Sequence, residues 1–531
     1  MGEAVKKLEV STFGYSNKST SERVKETHTT ELVIGICSQI GAKKNLIITN
    51  LKKELKEYGY QIKTIKLSSF IEGDLKVSLD EIENQYEGKT KGFINHIRKI
   101  KKGNKLREKF ENDYLANLAI SEIANQKKEK FNIKDESDFS NVKPQRVCYI
   151  IDSIKHKEEL EVLRDVYSEV FYLIGIFTPK KERINNVSST NLSLLEAKEL
   201  IKIDAYQETN SNGQQVRDVF VESDFFIKVD KSNENDVSKK VERFVNLIFQ
   251  NEIITPSIEE RAMYEAQSAS VNSACLSRQV GASIISGEEL LSVGWNDVPK
   301  YGGNLYTSES KIDNRCYIKG GKCFNDSNKK NIRDVIENSF KEKVDNSELD
   351  NKNEAIKLLR EVLLDSSIKT LIEFSRSVHA EMHAILNAAS LFGEKLKKST
   401  LFCTTYPCHN CVRHIIAAGI TKLYYIEPYV KSKGVDLHSD AITDDSDLDE
   451  NNEEKVQILM FEGVSPKKYV SFFKKSRKRK NKITGETLCN SRNKHELFPV
   501  NSISLQTLFY REVLASKRID DKNKIIENGK Q

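Results

Sequence analysis

The sequence predicts an α/β protein in two units: an N-terminal parallel sheet flanked by helices and a C-terminal three-layer α/β/α unit. Three observations predict it. Short apolar runs alternate with helical stretches in both halves, as βαβ units require. The pattern resets at Pro256, where a helix leads into a hairpin before the alternation resumes. The chain has 531 residues, more than one hydrophobic core serves.

Residues 1–28 are polar and read as disordered. The first strand runs through residues 31–36 into a glycine-containing turn. Residues 45–58 read as a helix, with Leu46, Leu51 and Leu55 near helical spacing and Gly59 closing it. A second strand spans 61–67. Residues 72–140 are highly charged and read as a helical insertion or lid; residues 89–109 hold nine Lys and Arg, which suits a solvated helix face or a phosphate-binding surface. Strands follow at 146–151, 170–177 and 224–229, and a helix over 237–250 closes a unit spanning 28–252.

The second unit spans 256–475. It opens with a helix (257–277) and a hairpin (280–285 and 290–295), then a polar, helical excursion over 297–375. A helix near His379, a strand at 400–404, a helix from Cys408 and strands at 422–426 and 456–461 complete it. Residues 444–454 hold seven acids and 474–482 seven bases, and residues 476–531 read as a basic C-terminal extension. No internal repeat is visible.

Hydrophobic residues make up 38% and charged residues 31%, as in a water-soluble globular protein. No run of about 18 apolar residues marks a membrane span, and the N-terminus lacks the apolar core of a signal peptide. Nine irregularly spaced cysteines argue for reduced thiols, metal ligands and a cytoplasmic address. A net charge of +6 is too small at this length to predict nucleic-acid binding.

The chemistry concentrates in His379-Ala-Glu381 and Pro407-Cys408-His-Asn-Cys411, an H-x-E…P-C-x-x-C pattern. One imidazole and two thiolates hold zinc and leave its fourth tetrahedral position open for water, whose pKa the metal lowers. Glu381, two residues past the histidine, is placed to move protons between that water and a ring nitrogen. Cys408 and Cys411 sit where a helix begins, which favours thiolates. A structural zinc knuckle is the bland alternative, but such sites close with four ligands and need no glutamate.

In the first unit, strand, loop, helix and a later strand ending in Asp152 have the layout of a P-loop nucleotide site. The loop reads Gly35-Ile-Cys-Ser38-Gln-Ile-Gly41-Ala-Lys43-Lys44-Asn45. Register on Lys44 puts Ser38 and Lys43 at the pattern's two glycines and Asn45 at its hydroxyl position. ATP or another nucleotide is the ligand such a loop would take, although most of the glycines are gone.

Arg278-Gln-Val-Gly-Ala282, Gly294-Trp-Asn296-Asp-Val-Pro299, His379-Ala-Glu381-Met-His-Ala-Ile and Pro407-Cys408-His-Asn-Cys411…Ala418-Gly-Ile420 fall in one order. Over roughly 258–470 they resemble the deoxycytidylate deaminase family. The resemblance implies that Asn296, otherwise an ordinary turn residue, holds the sugar or base edge and that Tyr429 lines the pocket. Cys275 stands where some members carry a structural zinc ligand; Cys316 and Cys323, with His383 or another residue, would complete a second zinc site, unless the three thiols are unrelated.

The fused loop-bearing half, with Gly213-Gln214…Asp218…Asp224, Glu427-Pro-Tyr-Val-Lys-Ser-Lys433…His438-Ser-Asp440 and 461–469, resembles the bacterial anti-phage dCTP deaminases. What that family implies is a hydrolase converting dCTP and dCMP to dUTP and dUMP, which drains the cytidine nucleotide pool. It also implies an inhibitory small RNA in some members; a homo-oligomer is expected as well. A housekeeping dCMP deaminase, a polynucleotide cytidine deaminase and a sensing module with a vestigial site are the alternatives. Neither basic run carries the interleaved aromatics that stack single-stranded bases.

Overall fold

The computed structural model describes residues 19–71, 85–205, 207, 211–231, 233–348, 350–429, 432–444, 454–489 and 493–528. The chain builds two six-stranded sheets. In the first, β1 (Leu32–Ser38), β2 (Gln61–Lys66), β3 (Val147–Asp152), β4 (Phe171–Phe177) and β5 (Phe225–Lys228) are parallel in the order β5-β4-β1-β3-β2. β1 and β3 are buried at every position. Continuous apolar runs without alternation follow from helices on both faces. Leu32, Ile34 and Ile36 pack beneath the helices Lys44–Glu57 and Val237–Phe249, and Val33, Tyr149 and Ile151 beneath Tyr114–Phe131 and Lys157–Tyr167.

The second sheet comprises β6 (Gly281–Ser286), β7 (Glu289–Trp295), β8 (Thr400–Thr405), β9 (Lys422–Glu427), β10 (Ile442–Asp444) and β11 (Val456–Met460), ordered β10-β11-β9-β8-β6-β7. β6 runs antiparallel to β7 and β8, and the remaining pairs are parallel. Helices Ile258–Ser270 and Ala380–Phe392 cover opposite faces. Gly281 presses against the first helix and Gly294 against the second, and Ala282 pairs with Gly294 in the hairpin register, so the two glycines face opposite sides.

The last strand, β12 (Gly463–Val464), leaves this sheet and pairs antiparallel with β5 of the first. Glu260 reinforces that junction. Its buried carboxylate takes two hydrogen bonds from Arg243 at 2.6 and 2.7 Å and one from the Val464 amide at 2.8 Å.

Three stretches depart from the sequence-based expectation. Residues 20–26 form a helix, closed by a reciprocal capping box between Ser19 and Glu22; residues 1–18 lie outside the described residues. The charged stretch 72–140, described from residue 85, is more than a lid. Its helix Tyr114–Phe131 puts Leu115, Ile120 and Ile123 into the core of the first sheet. The basic C-terminal extension carries the helix Leu505–Asn528, which packs along Tyr114–Phe131. Buried Lys127 joins them, 2.5 Å from Glu31 and 2.8 Å from Glu512. Composition hides such pairs, because a charge enters a core only when its partner arrives from elsewhere in the chain. The acidic run lies outside the described residues from 445 to 453.

Candidate active site

Two helix N-termini meet just beyond Thr405, the last residue of β8. His379 is the N-cap of Ala380–Phe392, and Cys408, just after Pro407, is the N-cap of His409–Ala417, with Cys411 in that helix's first turn. His379 Nδ1 lies 3.3 Å from each sulfur, and the sulfurs are 3.6 Å apart. A tetrahedral zinc with bonds of about 2.05 Å to nitrogen and 2.3 Å to sulfur needs edges of about 3.6 and 3.8 Å. The three donors therefore fit a zinc ion to within about 0.3 Å. Among the described residues this is the one group of three His, Cys, Asp or Glu donors lying within 4.8 Å of one another.

The electrostatics suit a cation. Cys408 is lowered to about 4 by the neighbouring Cys411 thiol and, against burial, by His379. Burial opposes the charge on His379, yet Cys408 and Glu381 hold it at about 9. Cys411 is raised by its contact with Cys408 and by burial. A dication held by these three donors would displace the protons they carry. Glu381 sits in the first turn of the His379 helix, 4% exposed, and burial followed by the Cys408 charge raises it to about 7. A carboxyl held near neutrality both takes and returns a proton.

The helix is held to β7 by Ser292 Oγ, which donates to Ala384 O at 2.8 Å, and by Asn387 Nδ2, which donates to Val293 O at 3.2 Å. A cavity of about 510 Å³ opens over the cluster, lined by His379, Glu381, Cys408, Asn296 and Tyr429 among others. This volume falls within the range of small-molecule sites. Asn296 is buried, and its Nδ2 donates to Arg278 O while its Oδ1 accepts from Val280 N, both at 2.8 Å. The side chain fastens the segment leading into β6 and keeps one amide hydrogen and one lone pair for other partners.

Cys275, Cys316 and Cys323 face the same cavity, but their sulfurs do not gather into a three-donor group. His383 stands apart from them. Its Nδ1 accepts from the Trp295 amide at 3.3 Å, and its Nε2 lies 3.1 Å from Asn304 Oδ1.

The loop of the first sheet is satisfied from within. Asp204 accepts from the Ile40 amide at 2.6 Å, and Lys44 Nζ reaches Asp152 at 2.7 Å and Ser153 at 2.6 Å. Lys43 pairs with Glu234. Gly41, at φ +81°, lies under the helix Lys180–Ser188, where a Cβ would meet Arg183 O at 2.7 Å. Gly35 and Ser38 belong to β1, and a Cβ on Gly35 would strike Ile154 and Phe171. Gly35 therefore packs the sheet, and Asn45 takes its place in the first turn of Lys44–Glu57.

Residues 256–427 match the model of the cytidine and deoxycytidylate deaminase zinc-binding region. The deoxycytidylate deaminase of Enterobacteria phage T2 is 31% identical over 166 residues, covering 31% of this chain and 77% of that protein. The chain belongs to the deoxycytidylate deaminase family. ComE operon protein 2 of Bacillus subtilis (strain 168) is 46% identical over 55 residues, and the match spans 10% of this chain and 29% of that protein. Among solved structures, the dCMP deaminase of cyanophage S-TIM5 aligns at 20% identity over 39% of this chain and 100% of that one, with a TM-score of 0.22.

The family's zinc-binding region thus coincides with the His379, Cys408 and Cys411 cluster. Sequence reasoning missed two cations on the cavity wall, Lys329 and Arg376, and gave Arg278 no role. Arg376 lies three residues before His379, close enough to the motif to have been a signal. Lys329 carried none, because it comes from the helix Phe324–Asp345 of the excursion. Among the described residues no helix is long and apolar enough to cross a membrane.

Proposed function

We propose that the chain hydrolyses the exocyclic amine of deoxycytidine nucleotides, turning dCMP and dCTP into dUMP and dUTP. The observation that supports this best is Glu381, a buried carboxyl facing a nucleotide-sized cavity two residues from His379 of the zinc-fitting cluster. Held by His379 Nδ1 and the two sulfurs, zinc when bound supplies a Lewis acid that brings the pKa of water near neutrality. Glu381 accepts a proton from the attacking water as its oxygen bonds to ring C4, and passes that proton to ring N3. The same carboxyl relays a second proton to the amine. The C4–N4 bond then breaks, ammonia leaves and the uracil carbonyl remains. Tyr429 and Asn296 line the same cavity, and on this reading Asn296 holds the sugar or base edge. The resemblance to anti-phage dCTP deaminases adds the biological reading, that turnover drains the cytidine nucleotide pool.

The test is product analysis on zinc-assayed protein with dCMP, dCTP and single-stranded DNA. Glu381→Ala is expected to keep its zinc and lose roughly 10²- to 10⁴-fold in turnover, the usual worth of a general acid–base. Undiminished turnover by this variant would remove the proton-shuttle role. Better activity on the DNA strand than on free nucleotides would overturn the substrate class.

A further inference from the structure

We propose that Asp204 is a built-in anion for the first unit: its carboxylate closes the loop after β1 and, by standing where a phosphate would, keeps one out. The contact is autoinhibitory, and it concerns a site separate from the His379 cluster.

Parallel sheets hold ligands beyond the carboxyl ends of their strands. Three neighbouring strands of the first sheet, β4, β1 and β3, each send a donor toward Asp204 there. Ile40 follows β1, and its amide donates to Asp204 Oδ2 at 2.6 Å. Lys155 follows β3, and its ammonium pairs with Asp204 Oδ1. Arg183 follows β4, in the helix Lys180–Ser188. Burial lowers its pKa to about 10, and the Asp204 charge acts against that fall. A loop amide, a lysine and a guanidinium are the donor set that anion sites use.

Asp204 comes from elsewhere, near the end of the helix Leu194–Ala205, and is 1% exposed. Its two oxygens serve the loops of two different strands, which an ordinary lysine pair does not require. Arg183 is 6% exposed and donates through Nε to Thr178 O at 3.0 Å, yet its Nη1 is buried without a partner among the described residues. One carboxylate thus answers only part of the positive charge, and a phosphate, with more oxygens, would answer the rest. The other cations of the loop are taken up: Lys43 by Glu234, and Lys44 by Asp152 and Ser153. Gly41, between Ile40 and these lysines, is held because Asn186 Nδ2 donates to its carbonyl at 3.0 Å. The loop is therefore closed on side chains of its own unit. Withdrawal of the helix Leu194–Ala205 is the movement that frees it.

The test titrates inorganic phosphate into the parent, Asp204→Ala and Asp204→Asn at constant ionic strength. Alanine leaves the place of the carboxylate open beside Lys155 and Arg183, whereas asparagine fills it. Asp204→Ala is expected to bind one phosphate per chain more than the parent, about tenfold or more tighter than Asp204→Asn binds it there. Hydrogen exchange locates the site: phosphate should slow the amides of residues 39–43 in the alanine variant and leave those of the parent unchanged. Adding Lys155→Met to Asp204→Ala should remove both effects. The melting temperature of Asp204→Ala, lowered by loss of the pair, should recover with phosphate and not with chloride of equal ionic strength. No extra phosphate in Asp204→Ala, or parent amides at 39–43 that already slow with phosphate, would overturn the proposal. If Asp204→Ala does not fold unaided, refolding yield takes the place of the titration. A higher yield in phosphate than in chloride supports the built-in anion, and equal yields sink it.

Discussion

Gly294→Ala tests whether the site depends on how closely the His379 helix approaches β7. A Cβ at residue 294 would lie 2.4 Å from Ala384 N and 2.5 Å from Ala380 O, both backbone atoms. Ordinary contact begins near 3.4 Å, so the helix must withdraw by about 1 Å, since close-packed interiors cannot absorb such an overlap. Withdrawal works against the Ser292 and Asn387 bonds that hold the helix to β7. It also carries Glu381 and His379 away from Cys408 and Cys411, which belong to another helix. A displacement of that size typically costs about 100-fold in rate, and the overpacking itself about 1–3 kcal/mol of stability. The assay is saturating turnover per bound zinc, beside thermal unfolding. Leu386→Ala, on the same helix but 60% exposed, serves as the control and should stay near parent activity. Turnover per zinc within twofold of the parent for Gly294→Ala would refute the reasoning.

Lys127→Met should destabilise the chain by about 3–5 kcal/mol in denaturant titration, because it strands two buried carboxylates; adding Glu31→Gln and Glu512→Gln should restore most of that loss. Burial lowers the His156 pKa despite nearby Glu159, so the folded chain resists a proton that the unfolded chain takes up near pH 6.5. Stability should therefore fall as pH drops below about 6.5, and His156→Gln should flatten that slope in melts from pH 5 to 8. Chelation should abolish turnover and lower the melting temperature, and added zinc should restore both, because the His379 cluster gains the ion only when folded.

Short-range patterns were legible in the buried strands, while the Ser19–Glu22 capping box that opens the helix Thr20–Glu26 went unread. The apolar runs at 146–151 and 170–177 became β3 and β4 within a residue of their expected ends, because a strand buried on both faces has nothing but apolar residues to show. β12 was not legible. Two residues carry no period, and only the partner β5 makes them a strand. His379, Glu381, Cys408 and Cys411 were readable because metal chemistry demands fixed residue types at spacings set by one helical turn.

The sequence by itself determined the alternation of strands and helices in each unit, the three metal donors and the carboxyl beside them. Each of these is written in local pieces of one or two turns, His379 with Glu381 and Cys408 with Cys411, and packing then joined the two pieces. The tertiary structure decided what lies far apart in the chain: Lys127 closed between Glu31 and Glu512, Ile40 and Lys44 answered by Asp204 and Asp152, and Arg376 and Lys329 brought to the wall facing Glu381. Burial makes a charge acceptable only when its partner is present, and that partner is chosen by packing, which no local pattern records.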